Sequence, residues 1–101
     1  MRRRKARAIP DHIAYALARY YKDAGQSFRR ILLTLAEDEG IILKYIPDQL
    51  LYEYTHEQLG RGLSFRRIAE KLFDEEYYVI DFSTLFDLYR RYGEKSREEH
   101  E

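Results

Sequence analysis

Apolar positions recur at helical spacing in five stretches, and the polar residues between them read as helix ends and turns. In the first stretch Ile13, Leu17, Tyr20 and Tyr21 fall at i, i+4, i+7 and i+8, one helical face. That helix starts after Ile9, with Pro10 in its first turn, where a missing N–H costs nothing. Asp23-Ala24-Gly25-Gln26 ends it, because Gly25 takes the left-handed conformation that closes a helix. The second helix is capped by Ser27, carries Phe28, Ile31, Leu32 and Leu35, and ends in Glu37-Asp38-Glu39-Gly40. The third begins at Pro47-Asp48, carries Leu50, Leu51 and Tyr54, and stops before Gly60-Arg61-Gly62. Ser64 caps the fourth, which turns Phe65, Ile68, Ala69, Leu72 and Phe73 inward. Ser83 caps the fifth, which carries Leu85, Phe86, Leu88, Tyr89 and Tyr92 and closes at Gly93. The runs Ile41–Ile46 and Tyr77–Phe82 are rich in β-formers and too short for helices. They are expected to be extended connectors packed on the core, with some strand character.

These five stretches are related by an internal duplication. Gly25-Gln26-Ser27-Phe28-Arg29-Arg30-Ile31 returns 37 residues later as Gly62-Leu63-Ser64-Phe65-Arg66-Arg67-Ile68, and Ile9-Pro10-Asp11 returns as Ile46-Pro47-Asp48. Sliding residues 9–55 over 46–92 gives 14 identities in 47 ungapped pairs. Chance supplies roughly three, so the repeat is real. The third helix matches the first helix of the second unit and also stands where the third helix of the first unit belongs. The expected fold is therefore all-α: a compact array of about five helices forming two helix-turn-helix-like units that share the middle helix. Residues 1–8 form a basic arm, 9–93 a single tandem domain with units 9–55 and 46–92, and 94–101 a charged tail.

Composition narrows the class. A chain of 101 residues with 45% hydrophobic content makes one folded domain. No apolar run approaches the ~20 residues that span a bilayer, so no membrane partner is expected. Without cysteine there is no disulfide, thiolate metal site or thiol nucleophile. Charged residues reach 36%, Asn and Cys are missing and Met occurs only at the start, a profile like that of hyperthermophile proteins. The zero net charge hides an uneven layout. Arg2, Arg3, Arg4, Lys5 and Arg7 put five positive charges and no acid in residues 1–7, whereas residues 8–93 hold 11 basic and 14 acidic residues. Such an arm suits a polyanion.

The segment Gly62-Leu63-Ser64-Phe65-Arg66-Arg67-Ile68-Ala69-Glu70-Lys71-Leu72, followed by Tyr78-Val79-Ile80-Asp81, Ser83-Thr84-Leu85 and Leu88-Tyr89-Arg90-Arg91-Tyr92, resembles a known phrase. It is similar to the helix-turn-helix of insertion-sequence transposases and resolvase-type proteins, in the homeodomain-like group. In that family a Gly-x-Ser-aromatic-Arg-x-Ile-Ala segment opens the scaffold helix, and a Ser/Thr-Thr pair opens the recognition helix. The likeness covers about 31 residues of the second unit. The first unit, from Gly25 to Tyr54, keeps the scaffold helix but not the recognition helix, and the likeness stops short of any nuclease domain. It implies double-stranded DNA as partner.

The chemistry of the residues points the same way. Helix N-termini carry unpaired N–H groups and partial positive charge, which attract phosphate. Arg29 and Arg30, and Arg66 and Arg67, add full charges in the first turns of the second and fourth helices. Ser83, Thr84 and Asp87 lie on the N-terminal outer side of the fifth helix, followed by Arg90 and Arg91, which pair with phosphate or guanine. The third helix, with Asp48, Glu53 and Glu57, repels phosphate and serves packing or subunit contacts. The arm suits a minor groove or a run of phosphates.

Catalysis is not expected. His12, His56 and His100 lack metal-ligand spacing, and the glutamates form solvated runs. Gly60-Arg61-Gly62 lacks the rest of either nucleotide motif, and no tyrosine has the company of a strand-cutting nucleophile. Tyr15, Tyr20, Tyr52, Tyr54, Tyr89 and Tyr92 are expected in the core or at its rim. No cofactor, metal or small-molecule substrate is implied. The expectation is a non-enzymatic DNA-binding protein, an architectural or virion nucleoprotein that coats DNA as a homodimer or higher homo-oligomer, in the cell interior or inside a virion. The alternatives are a sequence-specific transcriptional regulator and a protein-interaction module built from degenerate helix-turn-helix units.

Overall fold

The computed structural model describes residues 9–99, with side chains to residue 95. The helices are α1 (Asp11–Asp23), α2 (Phe28–Asp38), α3 (Asp48–Gly60), α4 (Phe65–Glu76) and α5 (Phe82–Glu99), and there is no strand among the described residues. The fold class is all-α. Both connectors are irregular, without the strand character expected from their β-formers, because neither finds a ladder partner. The chain divides into two units between Pro47 and Asp48, so that α1 and α2 form the first and α3, α4 and α5 the second.

The duplication is reproduced in backbone geometry. At the end of α1, Gly25 has φ +97°, its N–H donates to the Lys22 carbonyl at 3.0 Å and the Gln26 N–H to that of Tyr21 at 3.2 Å. At the end of α3, Gly62 has φ +93°, and the N–H groups of Gly62 and Leu63 donate to Leu59 and Gln58 at 2.9 and 3.2 Å. Both are Schellman closures, which need a residue that tolerates positive φ. The next helix then starts identically in each unit: the Ser27 and Ser64 hydroxyls accept from the Arg30 and Arg67 N–H groups, each at 3.2 Å. Each cap contributes about 1 kcal/mol.

In the first unit α1 buries Ala14 and Ala18, and α2 buries Phe28, Ile31, Thr34 and Leu35. The two helices are in contact, and small side chains on α1 let the backbones approach. Ile13 is 41% and Tyr20 68% exposed, so the inward stripe of α1 runs through its alanines rather than its largest residues. Thr34 Oγ1 donates to Gln26 Oε1 at 3.0 Å and Tyr21 Oη to Glu39 Oε1 at 2.8 Å, while Lys22 Nζ sits 4.7 Å from the Phe28 ring centroid.

In the second unit all three helix pairs are in contact. Leu50, Leu51 and Thr55 of α3, Ile68 and Leu72 of α4, and Leu85 of α5 are at most 1% exposed. Burying each leucine or isoleucine contributes about 1.5–3 kcal/mol, more than a cap does, so this seam decides the packing. The buried Thr55 hydroxyl is satisfied within its own helix, donating to the Leu51 carbonyl at 2.8 Å. An aromatic cluster closes one side: Tyr52 stacks on Tyr89 at 4.8 Å and lies 5.0 Å from Tyr92, while Phe65 meets Tyr89 edge-on at 5.7 Å.

Three more sequence expectations change in the second unit. Phe73, expected inward, is 61% exposed, as is Phe86 of the fifth helix's apolar set at 46%, because the buried stripe runs through Ile68, Leu72 and Leu85 and leaves them outside its edge. The fifth helix begins two residues early: Asp81, not Ser83, occupies the cap position, its carbonyl accepting from the Leu85 N–H at 3.0 Å, and Ser83 lies inside the first turn with its hydroxyl donating to the Asp81 carboxylate. It also continues through Gly93 to Glu99, with the Tyr52 ring against the glycine.

Candidate nucleic-acid interface

Ser83, Thr84, Asp87, Arg90 and Arg91 fall at i, i+1, i+4, i+7 and i+8 along α5, which puts all five on one face. All five are exposed, while Leu85 is buried on the opposite side. The face spans roughly 12 Å of helix at 1.5 Å per residue. Asp87 stands in its middle. Its carboxylate lies 3.9 Å from Arg90 Nη2, and its carbonyl accepts from Arg91 Nε at 3.3 Å. An exposed pair at that distance contributes well under 1 kcal/mol, so Asp87 holds the Arg90 guanidinium only weakly.

The first turn of α4 reaches the same region. The Arg66 guanidinium lies 4.9 Å from the ring centroid of Phe82, the first residue of α5. A cation–π contact of this kind is worth about 0.5–1 kcal/mol when exposed and holds the guanidinium beside the α5 N-terminus. Arg67 points along its own helix, with Nη1 3.1 Å from Glu70 Oε2 and both side chains more than half exposed. Arg29 and Arg30 are also exposed, in the first turn of α2 within the first unit. Arg2, Arg3, Arg4, Lys5 and Arg7 lie outside the described residues, as does His100.

Within the second unit the structure therefore brings Arg66 together with the start of α5, and ranges Ser83, Thr84, Asp87, Arg90 and Arg91 along one helix. The field there is modest: Arg66, Arg67, Arg90 and Arg91 face Glu70, Asp81 and Asp87, four positive charges against three carboxylates. On α3, Glu57 pairs with Arg61 at 2.8 Å across one exposed helical turn.

Two features escape the sequence. Phe82 falls in the connector by its sequence, and only the packing of α4 on α5 makes it the partner of Arg66. Beside it runs an open groove of about 500 Å³ between α4 and the connector, with Phe73, Ile80 and Phe82 as its apolar lining and Glu70, Asp74 and Asp81 as its acids. The hint available in the sequence is the repeat itself, since Ala36 and Lys44 of the first unit are replaced by Phe73 and Asp81 in the second.

Burial shifts two phenols of this unit. The Tyr54 hydroxyl is pushed well above its usual range by burial, with Glu76, Glu75 and Glu57 adding to the effect. Tyr89 is raised mainly by burial, with Tyr52 adding. His56 Nδ1 and Tyr89 Oη form a 2.8 Å hydrogen bond at the exposed edge of the aromatic cluster. Among the described residues no group of His, Asp and Glu is arranged to hold a metal ion, and no helix is long and apolar enough to cross a membrane. Compared with protein-family models, curated proteins and solved structures, the chain matches none.

Proposed function

We propose that the protein binds double-stranded DNA without catalysing a reaction, and that it does so as a coating or architectural protein acting in many copies. The single observation that carries this is the convergence of Arg66, held over Phe82, with the exposed Ser83, Thr84, Asp87, Arg90 and Arg91 face of α5. That face offers hydrogen-bonding groups at its start and guanidiniums further along, suited to groove edges and flanking phosphates respectively. Its near-neutral field makes the five cations of the arm the main source of attraction to a duplex. Attraction of that origin is largely blind to sequence, which favours coating over regulation.

A second reading, a protein-interaction module, draws on the acidic and apolar groove beside α4. Salt-titrated anisotropy with several unrelated duplexes separates the two. Comparable affinity for every duplex with a steep salt slope supports coating. One preferred site supports a dimeric regulator on paired half-sites, and an absence of binding at low salt overturns DNA as the partner.

A further inference from the structure

The groove between α4 and the connector differs in kind from the same place in the first unit. Its acids are Glu70, Asp74 and Asp81, whose counterparts 37 residues earlier are Leu33, Glu37 and Lys44. Its aromatic residue Phe73, 61% exposed, stands where the first unit has Ala36. Tyr77, at the edge of the connector, is 64% exposed and holds a left-handed backbone at φ 53° where the first unit has Gly40. A tyrosine there is strained relative to a relaxed backbone. Exposed aromatic side chains, a strained tyrosine and three carboxylates have no role in burying this unit's core. Phe73, Ile80 and Phe82 line one recess together with the three carboxylates, a mix of apolar surface and acid that suits arginine side chains, whose apolar stems carry a charged head. The groove already holds one guanidinium in this way, Arg66 at 4.9 Å from the Phe82 ring.

We propose that this groove receives the basic N-terminal arm, residues 2–7, of a second copy of the chain. The arm is the densest basic run in the sequence: Arg2, Arg3, Arg4, Lys5 and Arg7 around Ala6, five positive charges against a groove of three carboxylates and one guanidinium. Its guanidiniums pair with Asp74 and with Glu70, where one displaces the exposed Arg67 contact, and one stacks on exposed Phe73 as Arg66 does on Phe82. The contact joins two unlike surfaces, arm and groove, and is satisfied either by reciprocal exchange between two copies or by repetition from copy to copy. It goes beyond the DNA-binding proposal and holds without it. An arm seated in a groove is not on a duplex, so nucleic acid competes with self-association.

Sedimentation velocity of the full chain without nucleic acid tests this directly. One variant, Arg2→Glu/Arg3→Glu/Arg4→Glu, keeps the groove and reverses the arm. Another, Glu70→Lys/Asp74→Lys, keeps the arm and reverses the groove at two exposed positions. Wild type is expected to associate with rising concentration, and each variant to associate about tenfold or more weakly. An equimolar mixture of the two variants restores a complementary arm-to-groove pairing and associates where neither variant does so alone. Phe73→Ala, which changes no charge, weakens association as well. A wild type that stays monomeric, a groove variant that associates like wild type, or a mixture that stays monomeric overturns the proposal. Since no nucleic acid is present, failure here leaves duplex binding untouched, and failure of duplex binding leaves this pairing untouched.

Discussion

Gly40 and Tyr77 stand 37 residues apart at the same point of the repeat and share a left-handed backbone, with φ +67° and +53°. The residue after each makes the same bond: the Ile41 N–H donates to the Leu35 carbonyl at 2.9 Å and the Tyr78 N–H to the Leu72 carbonyl at 3.0 Å. The backbone exit from α2 and α4 is therefore set by the helix ending and by burial of Ile41 and Tyr78, not by the residue that must adopt positive φ. Glycine meets that demand without strain and tyrosine does not.

Tyr77→Gly is accordingly expected to stabilise the protein by about 0.5–1 kcal/mol: relief of about 1–2 kcal/mol of strain, reduced by the greater freedom of glycine in the unfolded chain. Gly40→Ala is expected to destabilise by about 1 kcal/mol. Urea unfolding of the two variants checks the pair, and a destabilised Tyr77→Gly shows that the ring packs more than its exposure implies.

Gly93 lies inside α5, not at its end, and a Cβ there meets Tyr52 Cε2 at 3.5 Å and Oη at 3.7 Å. Those are ordinary van der Waals distances. A mid-helix glycine costs about 1 kcal/mol relative to alanine. Gly93→Ala therefore raises stability by about 0.5–1 kcal/mol. A lowered melting temperature in calorimetry means instead that the Tyr52 ring is displaced.

Burial holds Tyr54 in its neutral form, and Tyr21, through its bond to Glu39 and then burial, shifts the same way. A phenol whose folded value is raised contributes stability that is fully present below its unfolded value of about 10 and is lost as pH climbs through the folded value. Stability is thus expected to fall steadily above about pH 10, and Tyr54→Phe to make that decline shallower. Chemical denaturation at a series of alkaline pH values reads it; an unchanged slope removes Tyr54 as a source.

Arg66→Ala/Arg67→Ala removes two exposed cations at a helix start whose cap, Ser64, remains. DNA affinity should fall with little loss of helix content, and the salt slope should decrease by about one for each phosphate that is no longer neutralised. Anisotropy and circular dichroism together decide it, and unaltered affinity excludes these arginines from the interface.

The helices and their ends are legible in the sequence because their causes are local. Ser27 and Ser64 cap an N–H three residues on, and Gly25 and Gly62 close bonds spanning six residues, so short windows contain the whole interaction. The exposed face of α5 is legible for the same reason, since helical spacing alone aligns Ser83, Thr84, Asp87, Arg90 and Arg91. Tertiary structure decides what depends on a distant neighbour. Apolar character cannot tell Leu72 from Phe73, because burial goes to whichever side chain meets α3 and α5, and one position of helical rotation separates core from groove. Gly93 has the residue type of a helix stop, yet it is an interior residue once the Tyr52 ring lies against it. The meeting of Arg66 with Phe82, 16 residues apart, exists only because α4 packs on α5.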